Sequence, residues 1–313
     1  MKAVQINAYG GTEVLELNPN TPNPNPQKDQ ILVNNHASCI NPFDGKLRNG
    51  YLKEHVPLKF PATLGGDYSG IVSQLGEGVS KFSVGDEVYG QAIILAGNSG
   101  AFAQIVAANT KSSAKKPQKT SFEEAAALPL VGVSALQALE DHMKLKKGQK
   151  IFISGGAGGI GHIAIQIAKY KGAYVATTVR EQQMSFVKSL GADEVIDFKK
   201  QAFEHILKDF DAVFDTVGEE TLNKSVQIVK IGGIVVSMLG KPEEQLVSKY
   251  GVMAIGQMTN TDTVHLDRLA KLVDDGVIKV HVDKIFPLEE VQQAFTYQEK
   301  SHPLGKVVLS IQA

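Results

Sequence analysis

The stretch Lys150-Ile-Phe-Ile-Ser-Gly155-Gly-Ala-Gly-Gly-Ile-Gly161-His-Ile-Ala-Ile-Gln-Ile-Ala-Lys169 decides the reading of this chain. It joins an apolar strand (Ile151, Phe152, Ile153) to a glycine-rich turn, then to a helix with Ile160, Ile163, Ala164, Ile167 and Ala168 at helical spacing. Gly156, Gly158 and Gly161 fit the G-x-G-x-x-G pattern. There the first glycine makes a tight turn, the second lets main chain approach a pyrophosphate, and the third lets the helix pack on the strand. The helix start adds unpaired N–H groups for an anion. A purely structural turn is the competing reading, and the flanking strand and helix argue against it. The stretch predicts a dinucleotide phosphate cradle.

Working outward, helix and strand alternate from residue 122 onward. Apolar runs at 151–154, 174–179, 194–198, 212–217 and 233–239 alternate with helical patterns at 181–190, 203–207 and 222–229. A last strand is expected at 251–257, a helix at 265–275, and closing segments at 285–288 and 306–311. Continuous apolar runs indicate strands buried on both faces, hence an α/β fold with a doubly wound parallel sheet of Rossmann type. Upstream the rhythm differs, with short runs at 3–8, 14–17, 31–37, 70–75, 87–90 and 102–107 between turn clusters. That pattern predicts a mainly antiparallel, barrel-like domain. Pro19, Pro22, Pro24 and Pro26 mark an extended surface loop, and Lys111, Lys115, Lys116 and Lys119 a solvated crossing between domains. Ser121-Phe-Glu-Glu124 has the polar opening and early acids of a helix start, leading into 125–128.

Bulk composition bounds the function. With 313 residues, 43% hydrophobic and 21% charged, the chain suits two domains with real cores. A net charge of −1 gives no general attraction to nucleic acid or to anionic membranes. A single cysteine, Cys39, excludes an intrachain disulfide and a cysteine-rich zinc site. No apolar run approaches the ~20 residues of a membrane span, so the expected location is the cytoplasm.

The end of the second strand of such a fold meets the adenosine ribose, where an acid selects NAD and a base accommodates the 2′-phosphate of NADP. Here it reads Ala176-Thr-Thr-Val-Arg180, without a carboxylate. Thr178 and Arg180 suit a phosphate, which predicts NADPH. Glu181 competes, but an acid there favours the next helix's first turn.

The chain resembles the medium-chain dehydrogenase/reductase superfamily, and within it the zinc-free quinone oxidoreductase (zeta-crystallin-like) and alkenal/enone reductase branch. The resemblance rests on Asn41-Pro-Phe-Asp-Gly-Lys-Leu-Arg48, Leu64-Gly-Gly-Asp-Tyr-Ser-Gly70, Val84-Gly-Asp-Glu-Val-Tyr89, Ala125-Ala-Ala-Leu-Pro-Leu130, Leu190-Gly-Ala192, Asp215-Thr-Val-Gly218 and Gly305-Lys-Val-Val308, together with the glycine loop. It implies a GroES-like domain over 1–122, completed by 259–313, and a Rossmann domain over 123–258, with the nicotinamide held in the cleft between them. By the same resemblance, Ser134, Gly158, Gly159, Ile160, Thr178, Arg180, Leu239, Gly240 and Lys306 contact the cofactor, and the protein is a homodimer.

Zinc members of the superfamily carry a metal-ligand cysteine where this chain has Asn41, and a His-Glu pair where it has Gly66-Asp67. The four-cysteine lobe is absent, and the eight histidines do not cluster. No metal is therefore expected. Without a Lewis acid, hydride delivery suits an acceptor that spreads negative charge, a quinone or an α,β-unsaturated ketone or aldehyde, and needs donors aimed at the oxygen that becomes anionic. Asn41, Lys46 and Tyr51 offer an amide, an ammonium and a phenol, and the resemblance places this segment beside the nicotinamide. Asn41-Pro42 as a plain turn, Lys46 as surface charge and Tyr51 as a rim aromatic remain the competing readings. The Asp-Gly-Lys at 44–46 matches the alkenal/enone reductases. The alternatives are a quinone reductase proper and a non-catalytic NADPH-binding sensor or structural protein. The expected partner is a small molecule, not nucleic acid or membrane.

Overall fold

In the computed structural model, which describes residues 1–312, the chain forms two compact units. One comprises Met1–Leu130, Thr261–Asp275 and everything from Val280 onward; the other comprises Val131–Asn260 and Gly276–Lys279. The division thus falls after Leu130, not at 122/123, and 276–279 return to the second unit. The physical reason for the first shift is the helix Phe122–Ala126, whose Phe122 ring stacks on His36 of strand Gln30–Cys39 at 4.3 Å. The Ser121 hydroxyl accepts from the Glu124 N–H, and the Glu124 carboxylate accepts from the Ser121 N–H. A second helix, Pro129–Leu136, follows and passes into a π-helical segment, Gln137–His142, neither of them anticipated.

The second unit is a six-stranded, wholly parallel sheet. Its spatial order is Glu194–Asp197, Tyr174–Val179, Lys150–Ser154, Phe210–Asp215, Val229–Ser237 and Met253–Gly256, the Rossmann order. Strand order reverses between Lys150–Ser154 and Phe210–Asp215, so the loops after these two strands lie side by side. Buried Asp215 ties them: it accepts from Ser154 Oγ at 2.7 Å, from Ser237 Oγ at 2.8 Å and from the Gly218 N–H at 3.0 Å. Two expected helices are shorter. Residues 203–207 hold a 3-10 turn, Phe203–His205, and 181–190 divide into a 3-10 turn and the helix Met184–Ser189.

The glycine turn departs from its expected division of labour. Gly155 carries the left-handed conformation (φ +71°), so it makes the tight turn, while Gly156 is the packing position. A Cβ on Gly156 would lie 2.1 Å from Thr177 Oγ1, a hydroxyl already fixed to the Ile153 carbonyl at 2.7 Å. A Cβ on Gly161 would meet the Gly155 carbonyl oxygen at 2.3 Å and Gly156 Cα at 2.7 Å. The helix Gly159–Tyr170 therefore sits against its own turn, with Gly161 through Ala168 all buried.

The first unit holds a seven-stranded sheet. Its path runs Val282–Pro287, Lys306–Ser310, Gln30–Cys39, Asp67–Leu75, Glu87–Gln91 and Ser113–Lys115, with Ile105–Asn109 also paired to Gln30–Cys39. All pairings are antiparallel except that of Val282–Pro287 with Lys306–Ser310. A three-stranded sheet of Glu16–Asn18, Ala3–Ile6 and Ala62–Thr63 completes the unit; residues 12–14, where the expected 14–17 strand begins, form a 3-10 turn. Lys116 is not the solvated residue expected. Its side chain is 6% exposed, pairs with Glu87 at 3.1 Å and donates to the Thr120 carbonyl at 2.7 Å. No helix among the described residues is long and apolar enough to cross a membrane.

Because the contacts facing Gly161 are all main chain, no rotamer change can relieve an added methyl. Gly161→Ala is expected to destabilise the protein by about 3 kcal/mol, the upper range of overpacking. Urea denaturation followed by circular dichroism reads this directly, and an unchanged midpoint would refute the close approach.

Candidate active site

The Rossmann unit offers a cradle that fits a dinucleotide. Gly158 caps the helix Gly159–Tyr170 and brings no side chain to its N–H groups. A Cβ there would meet only the Gly155 carbonyl, at 3.4 Å, so Gly158 and its neighbours Gly159 and Ile160 present main chain for an anion. Thr178 is buried near the end of its strand, and Arg180 is half-buried just beyond it. Glu181, the acid that competes with Arg180, is engaged by Lys200 at 2.7 Å, which leaves the Arg180 guanidinium without an ion pair among the described residues. Ser134 is buried, its hydroxyl 2.6 Å from Thr259 Oγ1. Leu239 and Gly240 lie past the end of Val229–Ser237, Leu239 half exposed and Gly240 with open space where a side chain would be.

In the GroES-like unit, Asn41 starts the helix Pro42–Arg48, with proline at the first helical position where a missing N–H costs nothing. Its main-chain N–H donates to Asp44 Oδ2 at 2.8 Å. Its side chain is committed as well. Nδ2 donates to Asp67 Oδ2 at 2.9 Å, while Oδ1 accepts from Lys306 Nζ at 2.5 Å. Lys306, 3% exposed, also donates to the Ile40 carbonyl at 3.0 Å, so two of its three ammonium hydrogens are engaged inside this unit. Asp67 further accepts from Gln91 Nε2 at 2.9 Å and from the Leu130 N–H at 3.2 Å. Sequence reasoning missed Gln91 and gave Asp67 and Asp215 no partners; each works through contacts distant in sequence.

Burial shapes the electrostatics of this cluster. It pushes the Cys39 thiol up to about 12 against the opposing pull of Lys306, and the Sγ donates to the Val307 carbonyl at 3.2 Å. It raises the Asp44 carboxyl to about 7, opposed by the Asn41 N–H. It raises Asp67 too, opposed first by Lys306.

Lys46 and Tyr51 differ from these. Lys46 is half-buried on the helix, its Nζ 5.5 Å from the Tyr51 ring centre, with no hydrogen bond or ion pair of the ammonium among the described residues. It lines a cavity of about 200 Å³ with Asn41, Gly45, Asn49, Phe295 and Gln298. Tyr51 is 72% exposed. No group of three or more His, Cys, Asp or Glu able to hold a metal ion occurs among the described residues. The donor set around Asn41 contains an amide and an ammonium, which does not suit a divalent cation.

Comparisons with known proteins agree with this architecture. Residues 27–118 match the family described as alcohol dehydrogenase GroES-like domain, and residues 190–309 the one described as zinc-binding dehydrogenase. The chain is 36% identical to 2-methylene-furan-3-one reductase of Solanum lycopersicum, over 99% of this chain and 79% of that one. It is 35% identical, with the same coverage, to a chloroplastic NADPH-dependent alkenal/one oxidoreductase of Arabidopsis thaliana. Among solved structures, the Escherichia coli quinone oxidoreductase complexed with NADPH superimposes with a TM-score of 0.89 at 28% identity, over 99% of this chain and 100% of that one.

Two outcomes test the buried cluster. Lys306→Met leaves Asp67 buried without its cation and is expected to cost about 3–5 kcal/mol. Adding Asp67→Asn should recover about 1–3 kcal/mol of that in a double-mutant cycle, and strict additivity would deny the coupling. The second outcome concerns pH. Asp44 titrates near 7 when folded and near ~3.9 when unfolded. Across that window the folded chain keeps a proton the unfolded chain has released, so stability present below the unfolded value is lost as pH rises toward 7. The slope is at most about 1.4 kcal/mol per unit, with Asp67 adding in the same direction. Asp44→Asn should lessen the slope, read from urea midpoints at several pH values; an identical slope in both proteins excludes Asp44 as its source.

Proposed function

The chain belongs to the quinone oxidoreductase and alkenal/enone reductase branch of the medium-chain dehydrogenases/reductases, and from that membership we propose that it reduces conjugated carbonyl compounds with NADPH and without a metal. It is an oxidoreductase, and its cofactor is NADPH. Gly156 to Gly161 hold the pyrophosphate, Thr178 and Arg180 meet the 2′-phosphate, and Ser134, Leu239 and Gly240 complete the cofactor's surroundings in this reading. When bound, NADPH supplies a hydride.

The chain's own task is to stabilise the charge an acceptor oxygen gains. The observation that carries the proposal is Lys46: a half-buried ammonium beside a cavity and over the Tyr51 ring, with no hydrogen bond or ion pair of its own among the described residues. An ammonium already paired with a carboxylate would have little to offer a developing oxyanion, whereas an unpaired one stabilises it strongly in a partly desolvated site. Tyr51, exposed beside Lys46, passes a proton from solvent to the α-carbon. Asn41 acts as a positioning residue, since its amide is taken by Asp67 and Lys306 and its main chain starts the helix that carries Lys46.

The sequence Asp-Gly-Lys at 44–46 favours enones and alkenals as acceptors. Quinones share the same demand, since their oxygen also becomes anionic. A single buried cysteine fits a reducing compartment, and the cytoplasm is the location this reading assigns. A homodimer is supported by the strand Met253–Gly256, which ends its sheet with one side unpaired among the described residues and exposes Met253, while Met258 just beyond it and Ile231, whose Cγ2 lies 3.4 Å from where a Cβ on Gly251 would be, are 93% and 87% exposed.

The test is NADPH oxidation against a 2-alkenal, a vinyl ketone and 9,10-phenanthrenequinone, with NADH as control. Turnover of the alkenal and ketone ahead of the quinone is expected. Preference for the quinone would give the quinone-reductase reading, and binding without turnover the non-catalytic one. Lys46→Met should lower kcat by roughly 10² to 10³ with KM for NADPH little changed; an unaltered rate removes Lys46 from the reaction.

A further inference from the structure

The match of residues 190–309 to a family described as zinc-binding dehydrogenase raises the question of a divalent metal centre, and by the family resemblance Asn41, Gly66 and Asp67 stand where zinc members keep their cysteine and their His-Glu pair. Space is not what the position lacks. A Cβ on Gly66 would meet nothing closer than Gln91 Nε2 at 3.6 Å, and the Gly66 backbone is not left-handed, so a side chain can start there without strain. Charge is what differs. Lys306 Nζ reaches Asn41 Oδ1, Asn41 Nδ2 reaches Asp67 Oδ2, and Gln91 donates to the other oxygen of Asp67. All of these atoms belong to one unit, and Asn41, Asp67 and Lys306 are at most 3% exposed.

A buried carboxylate needs a compensating cation. In a metal enzyme the ion itself meets that need. We infer that the Lys306 ammonium is the built-in cation of this site: relayed through the Asn41 amide, it compensates Asp67 and thereby excludes a divalent metal. The inference rests on the metal-free reading above and adds the residue responsible. Its physical content is that ligand identity alone does not decide metal binding here. A cysteine placed at 41 would find the ammonium within reach and pair with it as a thiolate. A second cation sharing that ligand at ~4 Å would be repelled in a medium of low dielectric. Cys39 does not offer a way round, because its thiol is buried and directed at the Val307 carbonyl.

The experiment restores the two missing ligand types with and without the ammonium. The full chain carrying Asn41→Cys and Gly66→His is compared with the same chain carrying also Lys306→Met, both against the unaltered protein. Zinc affinity is read by competition with a chromophoric chelator, and thiolate ligation by the absorption of the cobalt-loaded protein. The triple variant should bind one zinc per chain at least about 100-fold more tightly than the double variant. Where the methionine variant does not fold, Lys306→Gln, which keeps a donor toward the Ile40 carbonyl, takes its place with the same expected gain. Equal affinity with and without Lys306, at whatever level, overturns the inference. Tight zinc binding by the unaltered chain would instead overturn the metal-free reading itself, so the two failures are told apart.

Discussion

The contact between the Gly161 position and the Gly155 carbonyl is the constraint on which the Rossmann unit depends. With a Cβ distance of 2.3 Å to main chain, only hydrogen fits, and the helix is thereby drawn against the turn that feeds it. Everything nearby follows from that approach. The helix is buried from Gly161 through Ala168, so it is apolar for most of its length, and its first turn is left without a side-chain cap. Asp215 then locks the adjoining strand ends by accepting from Ser154, Ser237 and the Gly218 N–H. A rigid frame thus surrounds a short stretch of bare main chain, the arrangement an anion needs.

The GroES-like unit uses buried polarity to comparable effect. Asn41 serves two structures at once: its main chain begins a helix through Asp44, and its side chain joins Lys306 to Asp67. Lys46 rides on that helix, so its position depends on bonds it does not make. Buried ionic groups are rarely a source of net stability. Their value here is orientation, since an amide held at both ends has one way to face.

Much of this was legible in the sequence, and what was not has a common cause. The apolar runs gave the parallel strands because burial on both faces leaves no alternation to misread, and Ser121 with Glu124 announced a helix start by local chemistry alone. A row of glycines does not say which one bears the positive φ, so the tight turn expected at Gly156 falls to Gly155 and Gly156 packs against Thr177. Lys116 looked solvated because its partners, Glu87 and the Phe122 ring, are not its neighbours in the pattern of charge. The bond from Lys306 to Asn41 spans 265 positions and leaves no local trace, so sequence reasoning assigned Lys306 no partner within the chain. Local rules reached what local forces built; the charge cluster is tertiary.

Cys39 carries a consequence for the chemistry proposed. Enals and enones alkylate proteins by conjugate addition, and the group they attack fastest is a thiolate. The sole sulfhydryl of this chain is enclosed, hydrogen-bonded to a carbonyl and held protonated to about 12. An enzyme that turns over such electrophiles meets them at high local concentration in every cycle. To the acceptors proposed, this chain presents no accessible thiol.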